Sequence, residues 1–183
     1  MKSLVWILLV ALLTAAPLAA QSVTPFADKP ALLTSVGQSA DIEMLKVLLN
    51  RSRIPFSADP LVTAATLPAE ARTLVLAVGG SSKGLGAAGI SVEAELERAR
   101  ELIGRARERG LKIIAVHVGG EGRRGALSDA FIELCVPAAD YAVVVTDGDK
   151  DGLFTRLAAG AGIPLTKSDR ISGVQAPLAA VFK

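Results

Sequence analysis

Four segments of the sequence combine glycines with hydroxyl or charged side chains, and each follows a predicted strand. They are Gly37-Gln38-Ser39, Gly79 to Gly89, His117 to Ser128, and Asp147 to Gly152. The carboxyl ends of parallel strands meet at one edge of a sheet, where ligands bind in such proteins. We therefore expect a ligand site at that edge, formed by Gln38, Ser39, Gly80, Ser81, Ser82, Lys83, His117, Gly119, Gly120, Arg123, Arg124, Ser128 and Asp149.

The residue types in this set favour an anionic ligand group, such as a carboxylate or a phosphate. Lys83, Arg123 and Arg124 supply positive charge, and glycine-rich backbone can bring N–H groups close to an oxyanion. The segments 79–89 and 119–125 are longer than turns between a strand and a helix usually are, which favours a binding role. The alternative is that the glycines form tight turns and the polar residues cap the following helices.

The segment from Gly80 to Gly86 resembles the cofactor loop of short-chain dehydrogenases, in which backbone N–H groups approach a pyrophosphate. Two observations oppose this interpretation. The next helix is predicted to begin only at Ser91, and Tyr141 is followed by Val145 where a Tyr-x-x-x-Lys pair would need lysine. A Walker A loop is also excluded by the residues around Lys83, and we expect no cofactor.

The segment from Asp147 to Gly152 matches the first half of an EF-hand calcium loop. The second half is missing, because position twelve would be Ala158, and a strand precedes the loop instead of a helix. Acidic residues also favour the N-terminus of a following helix. We predict no metal site, with calcium at this loop as the alternative.

His117 is the only histidine, so a metal site made of several histidines is excluded. Ser81 or Ser82 as nucleophile, His117 as base and Asp147 as orienting group would make a hydrolase, although no Gly-x-Ser-x-Gly turn is present. A hydrogen-bonding role for His117 in a binding pocket is the favoured interpretation. The single cysteine, Cys135, lies on an apolar helix face and is predicted to belong to the core.

The elements that must position these residues alternate between apolar strands and helices. Strands are predicted at 31–36, 73–78, 112–118, 141–145 and 163–166, and a weak edge strand near 61–63. Helices are predicted at 41–49, with Ser39 as cap, and at 91–109, 128–136, with Ser128 as cap, and 152–159. This pattern predicts a single three-layer α/β domain, Rossmann-like or flavodoxin-like, with a mostly parallel sheet.

The first 20 residues have the pattern of a Sec signal peptide. Lys2 precedes an apolar run from Leu4 to Leu13, and small residues follow Pro17. Cleavage near Ala20 would leave residues 21–30 as a linker and 31–183 as one α/β domain, in the periplasm or outside the cell. No stable membrane span is expected after processing, and an uncleaved anchor is the alternative.

Composition narrows the range of partners. The formal net charge is +2 and aromatic residues make up 4% of the chain, so the basic stripes and stacking platforms of nucleic-acid binders are missing. One cysteine cannot form an internal disulfide, so the core must supply the stability. The expected partners are a small-molecule anion or a protein of the membrane or envelope.

Four motifs together carry a resemblance to a known family. GQSADIEMLK, GGSSKGLGAAG, HVGGEGRRGALSD and DGDKDGLF resemble the DUF6305 family of exported bacterial domains, over nearly all of the chain after the signal peptide. The resemblance implies a compact exported domain with a shared loop cluster. It transfers no catalytic residue, because the family has no assigned activity.

Three hypotheses of function remain at this point. The leading one is a small extracytoplasmic domain that binds an anion at the carboxyl edge of its sheet. The second is an exported hydrolase that uses His117 as acid or base. The third is an interaction module whose loop from Gly79 to Gly89 becomes ordered on a partner protein.

Overall fold

The computed structural model of the protein describes residues 23–183, and the predicted signal peptide lies outside the described residues. The strands are β1 (Ala31–Val36), β2 (Phe56–Ala58), β3 (Thr73–Val78), β4 (Lys112–His117), β5 (Tyr141–Val145) and β6 (Leu165–Ser168). The helices are α1 (Asp41–Arg51), α2 (Ser82–Ala88), α3 (Val92–Glu108), α4 (Ala126–Cys135), α5 (Leu153–Ala161) and α6 (Gln175–Ala180). None of the helices in this part of the chain is long and apolar enough to cross a membrane.

All six strands form one parallel sheet in the order β2-β1-β3-β4-β5-β6. The first five strands of this order are those of a flavodoxin-like sheet, so the predicted fold class is confirmed. The chain runs outward from β1 to β2 and then returns to place β3 on the other side of β1. The order therefore reverses between β1 and β3, and ligands bind at such a switch point in open α/β sheets.

Helices cover both faces of the sheet, as continuous apolar strands require. Alternate strand residues point to opposite faces, so Leu74 and Leu76 join one core cluster while Val75 joins the other. Apolar residues of α2, α3, α4 and α5 pack on the first face, and those of α1 and α6 pack on the second. The three-layer arrangement follows from this division.

The segment before β1 packs against the end of the chain, in contrast to the linker predicted at residues 21–30. Ala27 is fully buried and pairs with Phe182 in a parallel bridge. Its backbone N–H donates to the carbonyl of Val181, and the ring of Phe26 lies edge-on to that of Tyr141, with 6.4 Å between centroids. From Phe26 onward, the segment is therefore part of the domain.

Several predicted elements need correction. The helix α2 occupies most of the segment from Gly79 to Gly89 that was predicted as a loop. Two glycines in SKGLGAA lower its intrinsic helix propensity, but Ser81 caps its start and Gly89 ends it in the left-handed conformation. The edge strand lies at Phe56–Ala58 instead of 61–63, and the C-terminal helix α6 was not predicted.

Two predicted helix caps were also wrong. Neither α1 nor α4 has a side-chain cap, since Ala40 and Gly125 occupy the positions before them. The hydroxyl of Ser39 accepts the N–H of Asp41 in a short turn instead, at 3.3 Å. Ser128 lies inside α4, where its hydroxyl is free to bind a neighbouring loop.

Candidate functional site

The loops after β1 and β3 meet at the switch point and are joined by hydrogen bonds to each other and to α4. Gln38 and Gly80 form an antiparallel bridge, and the N–H of Ser81 donates to the carbonyl of Gly37 at 2.8 Å. The N–H of Gly80 donates to the hydroxyl of Ser128 at 2.9 Å, which ties these loops to α4. The sequence prediction that these segments converge is correct for this part of the edge.

Close backbone approach explains two of the glycines. A Cβ on Gly37, where φ is +95°, would lie 2.5 Å from the carbonyl oxygen of Gly79. A Cβ on Gly84 would lie 1.9 Å from the carbonyl oxygen of Gln38. Any side chain at either position would push the loops apart, so glycine is required for the junction of β1, β3 and α2.

Two adjoining clefts open at this junction. The polar cleft, of about 450 Å³, is lined by residues 80–83 and 122–128. The mixed cleft, of about 590 Å³, is lined by Ser35, Gln38, Ser39, Ala40, Ile42, Glu43, Pro60, Ser81, Lys83, Gly84, Ala87 and Arg123. Both volumes fall in the range of small-molecule sites. Ser81, Lys83 and Arg123 line both clefts and form the wall between them.

The neighbouring residues Arg123 and Arg124 have opposite roles, although the sequence prediction treats them alike. The guanidinium of Arg124 donates to Asp129 at 2.7 Å, to Asp151 at 2.8 and 3.0 Å, and to the carbonyl of Gly148. It also lies over the ring of Phe154, 5.7 Å from the centroid. Hydrogen bonds to Asp151 and Asp129 hold its pKa above its usual range. Arg124 is therefore a structural cation that joins α4 to the loop before α5.

Arg123 keeps its hydrogen-bonding capacity. Within residues 23–183 its guanidinium donates no hydrogen bond, and its one ion pair is a loose one, with 3.8 Å between Nε and Oδ1 of Asp41. Its side chain is 38% exposed, against 11% for Arg124. Lys83, in the same wall, is exposed and makes no ion pair inside the described range. These two cations are available to a ligand.

The start of α4 adds a third source of positive potential. No side chain caps this ten-residue helix in the part of the chain that the structure describes, and its first turn lines the polar cleft. The first N–H groups of a helix have no partner inside the helix, and they carry the positive end of its dipole. Residues of this first turn line the same cleft as Arg123 and Lys83.

A buried carboxylate that the sequence analysis missed lies beneath Arg123. Asp41 is the first residue of α1 and is 9% exposed, and no hydrogen-bond donor of the described residues reaches its Oδ2 atom. A Cβ on Gly119 would lie 2.7 Å from this oxygen and 2.1 Å from Cγ of Arg123, so Gly119 leaves room for both side chains. Asp41 thus forms an ion pair with Arg123 but leaves the N–H donors of its guanidinium without a hydrogen bond to the described residues.

Glu95 and Arg98 support the wall of the mixed cleft from inside the protein. Glu95 is fully buried and accepts the N–H of Gly37 and the side-chain amide of Gln38, both at 2.9 Å. Arg98 donates to Glu95 at 2.6 Å, to the carbonyl of Ser35 at 2.7 Å and to that of Val62 at 2.6 Å. The pair fixes Gln38 at a φ of +56°, which is uncommon for residues other than glycine.

His117 lies under the site and does not face either cleft. It is fully buried, and both ring nitrogens contact carbonyl oxygens, Nδ1 that of Val78 at 2.9 Å and Nε2 that of Gly120 at 3.3 Å. Carbonyl oxygens only accept hydrogen bonds, so an N–H of the ring donates to at least one of these two carbonyls. Its contacts join β3 to the loop after β4, which is a structural role.

Each carboxylate of the Asp147 to Gly152 loop is held by an ion pair, one within the loop and two with residues outside it. Asp147 pairs with Lys150 at 2.6 Å, Asp149 with Lys167 at 2.7 Å, and Asp151 with Arg124. Because each of these three carboxylates pairs with a different cation, they do not converge on a common point where a calcium ion could bind. In the described range no group of three or more His, Cys, Asp or Glu side chains is placed to hold a metal ion.

Asp149 stabilises the start of α5. It is 4% exposed and accepts the N–H of Phe154 at 2.7 Å and the hydroxyl of Thr155 at 2.5 Å. Burial raises the pKa of this carboxyl, but hydrogen bonds from Lys167 and Thr155 outweigh burial, so the pKa lies below its usual value. Asp149, predicted as a ligand-binding residue, therefore has the role given as the alternative, in which acidic residues favour the N-terminus of the following helix.

The predicted site is therefore divided. Gly80, Ser81, Ser82, Lys83, Arg123 and Ser128 line the polar cleft, and Gln38 and Ser39 line the mixed cleft. Gly119 and Gly120 line a separate cleft with residues 169–172. Arg124 lines the polar cleft, but its guanidinium already donates hydrogen bonds to Asp129, Asp151 and Gly148. Glu95, Arg98 and Asp41 left no signal in the sequence, because acidic and basic residues early in a helix are also common on its exposed face.

Comparisons with known proteins place the chain in a family and no further. A family model described as "Domain of unknown function (DUF6305)" matches residues 28–182. No curated protein matches the chain. Among solved structures, the chain is similar to a mutant of the esterase AlinE4, with 10% sequence identity, a TM-score of 0.31, and coverage of 85% of this chain and 84% of that one. A similarity at this level carries no argument about activity.

Proposed function

The chain belongs to the DUF6305 family, and from the geometry of its site we propose that it is an exported small-ligand-binding domain that holds an oxyanion, a carboxylate or a phosphate. The binding site is the wall between the two clefts. Export is supported by the signal-peptide pattern of the first 20 residues.

The observation that carries the proposal is the free guanidinium of Arg123. A guanidinium presents five N–H donors in a planar fork that matches a carboxylate or phosphate, and arginines in stable structural pairs use most of them, as Arg124 does. Arg123 uses none of them in a hydrogen bond within residues 23–183 and is tethered by Asp41 at the mouth of both clefts.

The other groups at the wall suit the same ligand. Lys83 adds a second positive charge, the first turn of α4 adds N–H donors, and the hydroxyl of Ser82 is exposed in the polar cleft. Charge-assisted hydrogen bonds of this kind are about twice as strong as neutral ones. The hydrolase hypothesis gains no support, because the buried His117 makes no hydrogen bond to a serine or aspartate side chain of the described residues.

Isothermal titration of the purified protein with inorganic phosphate and with acetate tests the proposal. Arg123→Ala is expected to weaken binding of the better probe by tenfold or more, since a hydrogen-bonded charge contributes about 1.5–3 kcal/mol. Lys83→Ala is expected to weaken it less, since an exposed lysine gives a point charge without the planar fork.

Arg100→Ala is the matched control, because it removes one exposed arginine charge from α3, outside the clefts. If Arg123→Ala and Arg100→Ala bind the probe equally well, the proposed site is wrong. If wild type binds neither probe, an oxyanion is not the ligand, and a protein partner for the loop edge becomes the hypothesis to test.

A further inference from the structure

The two clefts differ in chemistry on either side of their shared wall. The polar cleft is lined by glycines, serines, the free cations and the start of α4. The mixed cleft adds four apolar residues, Ala40, Ile42, Pro60 and Ala87. A spherical inorganic ion would contact the wall and the polar cleft, and it would leave the exposed residues Ala40, Pro60 and Ala87 in contact with solvent.

From this asymmetry we infer that the ligand is an organic oxyanion with a short, largely apolar body. The inference rests on the proposed function and specifies its ligand class. The anionic head binds Arg123, Lys83 and the polar cleft, and the body lies in the mixed cleft against Ala87 and Pro60. A cleft of about 590 Å³ accommodates a body of several carbon atoms.

The mixed cleft is preformed, which favours a specific body over a mobile surface. Its wall at Gln38 and Pro60 is fixed, because the amide of Gln38 donates both to the carbonyl of Pro60 and to buried Glu95, each at 2.9 Å. Arg98 holds the adjoining segment through the carbonyl of Val62 at 2.6 Å. A wall ordered before binding costs little ordering entropy when the ligand arrives.

A series of probes with one head and bodies of different length tests the inference. We expect butyl phosphate to bind the purified protein about tenfold more tightly than methyl phosphate, because each methylene that becomes buried strengthens binding by up to about fourfold. Inorganic phosphate should bind no more tightly than methyl phosphate. Equal affinity for the methyl and butyl probes would overturn the inference.

The variant Ala87→Gln narrows the mixed cleft and makes its wall polar, while the residue stays exposed on α2. It is expected to reduce the butyl-to-methyl affinity ratio at least threefold. Ala159→Gln, at an exposed position on α5 outside the clefts, is the matched control and should keep the wild-type ratio.

The outcomes separate the inference from the proposed function. If both alkyl phosphates bind equally and Arg123→Ala weakens both, the oxyanion site stands and the apolar body is wrong. If Arg123→Ala changes the affinity for no probe in the series, the proposed function itself fails. A chain-length preference that Ala87→Gln does not alter would place the body outside the mixed cleft.

Discussion

At the scale of single residues, Glu95 shows how a buried charge is retained in this fold. Its carboxylate is fully buried, yet each oxygen has a donor, from the N–H of Gly37, the amide of Gln38 or the guanidinium of Arg98. Removal of one partner of a buried ion pair is usually costly because the other charge remains without compensation. The pair therefore stabilises one conformation of the loop after β1.

Cys135 is an inert core residue. It is fully buried, and burial raises the pKa of its thiol well above the usual range. Only the thiolate reacts quickly with disulfide reagents. We expect a disulfide reagent to leave the native protein unlabelled over minutes and to label it completely in denaturant. The absorbance of the thiol that the reagent releases measures the labelling. Rapid labelling under native conditions would mean that Cys135 is accessible in solution and that α4 does not bury it.

At the scale of elements, α2 is a short helix that supplies a cation to the proposed site. It has seven residues, two of them glycines, and its first turn supplies Lys83 to both clefts. The hydroxyl of Ser81 caps it by accepting the N–H of Gly84 at 3.1 Å. Tertiary contact with the loop after β1 stabilises a segment that local propensity alone would not make helical.

Two glycines of α2 should respond in opposite ways to the same substitution. Gly84→Ala places a Cβ against the carbonyl of Gln38 and is expected to lower the free energy of unfolding by about 1–3 kcal/mol. Gly86→Ala meets no atom within 4 Å and is expected to raise it by about 0.5–1 kcal/mol, because alanine favours a helix over glycine.

Urea denaturation of both α2 variants measures these changes in the free energy of unfolding. Each variant is the control for the other, because both replace a glycine by alanine in the same helix. If both variants are stabilised, the close approach of α2 to the loop after β1 is not present in solution. If both are destabilised, residues 82–88 do not gain from helix propensity.

At the scale of the whole molecule, ion pairs join the carboxyl edge of the sheet beyond the proposed site. Arg124 links α4 to Asp151 before α5, and Lys167 of β6 pairs with Asp149. Hydrogen bonds from Arg124 lower the pKa of Asp151 to about 2, and the pKa of Asp147 is lowered by its hydrogen bond from Lys150. These carboxylates bind protons less readily in the folded state than in the unfolded chain.

The sign of the resulting pH dependence follows from these depressed values. The contribution of Asp151 to stability is complete above the unfolded-state pKa of about 3.9, and it is lost as the pH falls toward about 2. We expect the free energy of unfolding to decrease steadily between these limits, and Asp151→Asn to make this decrease less steep. Chemical denaturation at a series of pH values measures both slopes.

Glu101→Gln is the control for that experiment, since Glu101 is exposed on α3 and has no ion pair among residues 23–183. Its slope should equal that of wild type. If the free energy of unfolding of Asp151→Asn falls with pH as steeply as that of wild type and Glu101→Gln, the ion pair between Asp151 and Arg124 does not form in solution.

The sequence by itself determined the fold class and placed the glycine and hydroxyl segments at one edge of the sheet. Apolar strands such as Thr73–Val78 and Lys112–His117 are readable because both faces of a parallel strand are buried, so nearly every residue is apolar. The position of the glycine and hydroxyl segments after those strands follows from chain order alone.

Only the tertiary structure decided which polar residues are free to bind. Arg123 and Arg124 are adjacent and chemically identical, and they differ because Asp129 and Asp151 lie within reach of one and not of the other. His117 was the residue most suggestive of chemistry, yet the carbonyls of Val78 and Gly120 enclose it. Hydrogen bonds between residues distant in sequence determine availability, and neither composition nor spacing along the chain records them.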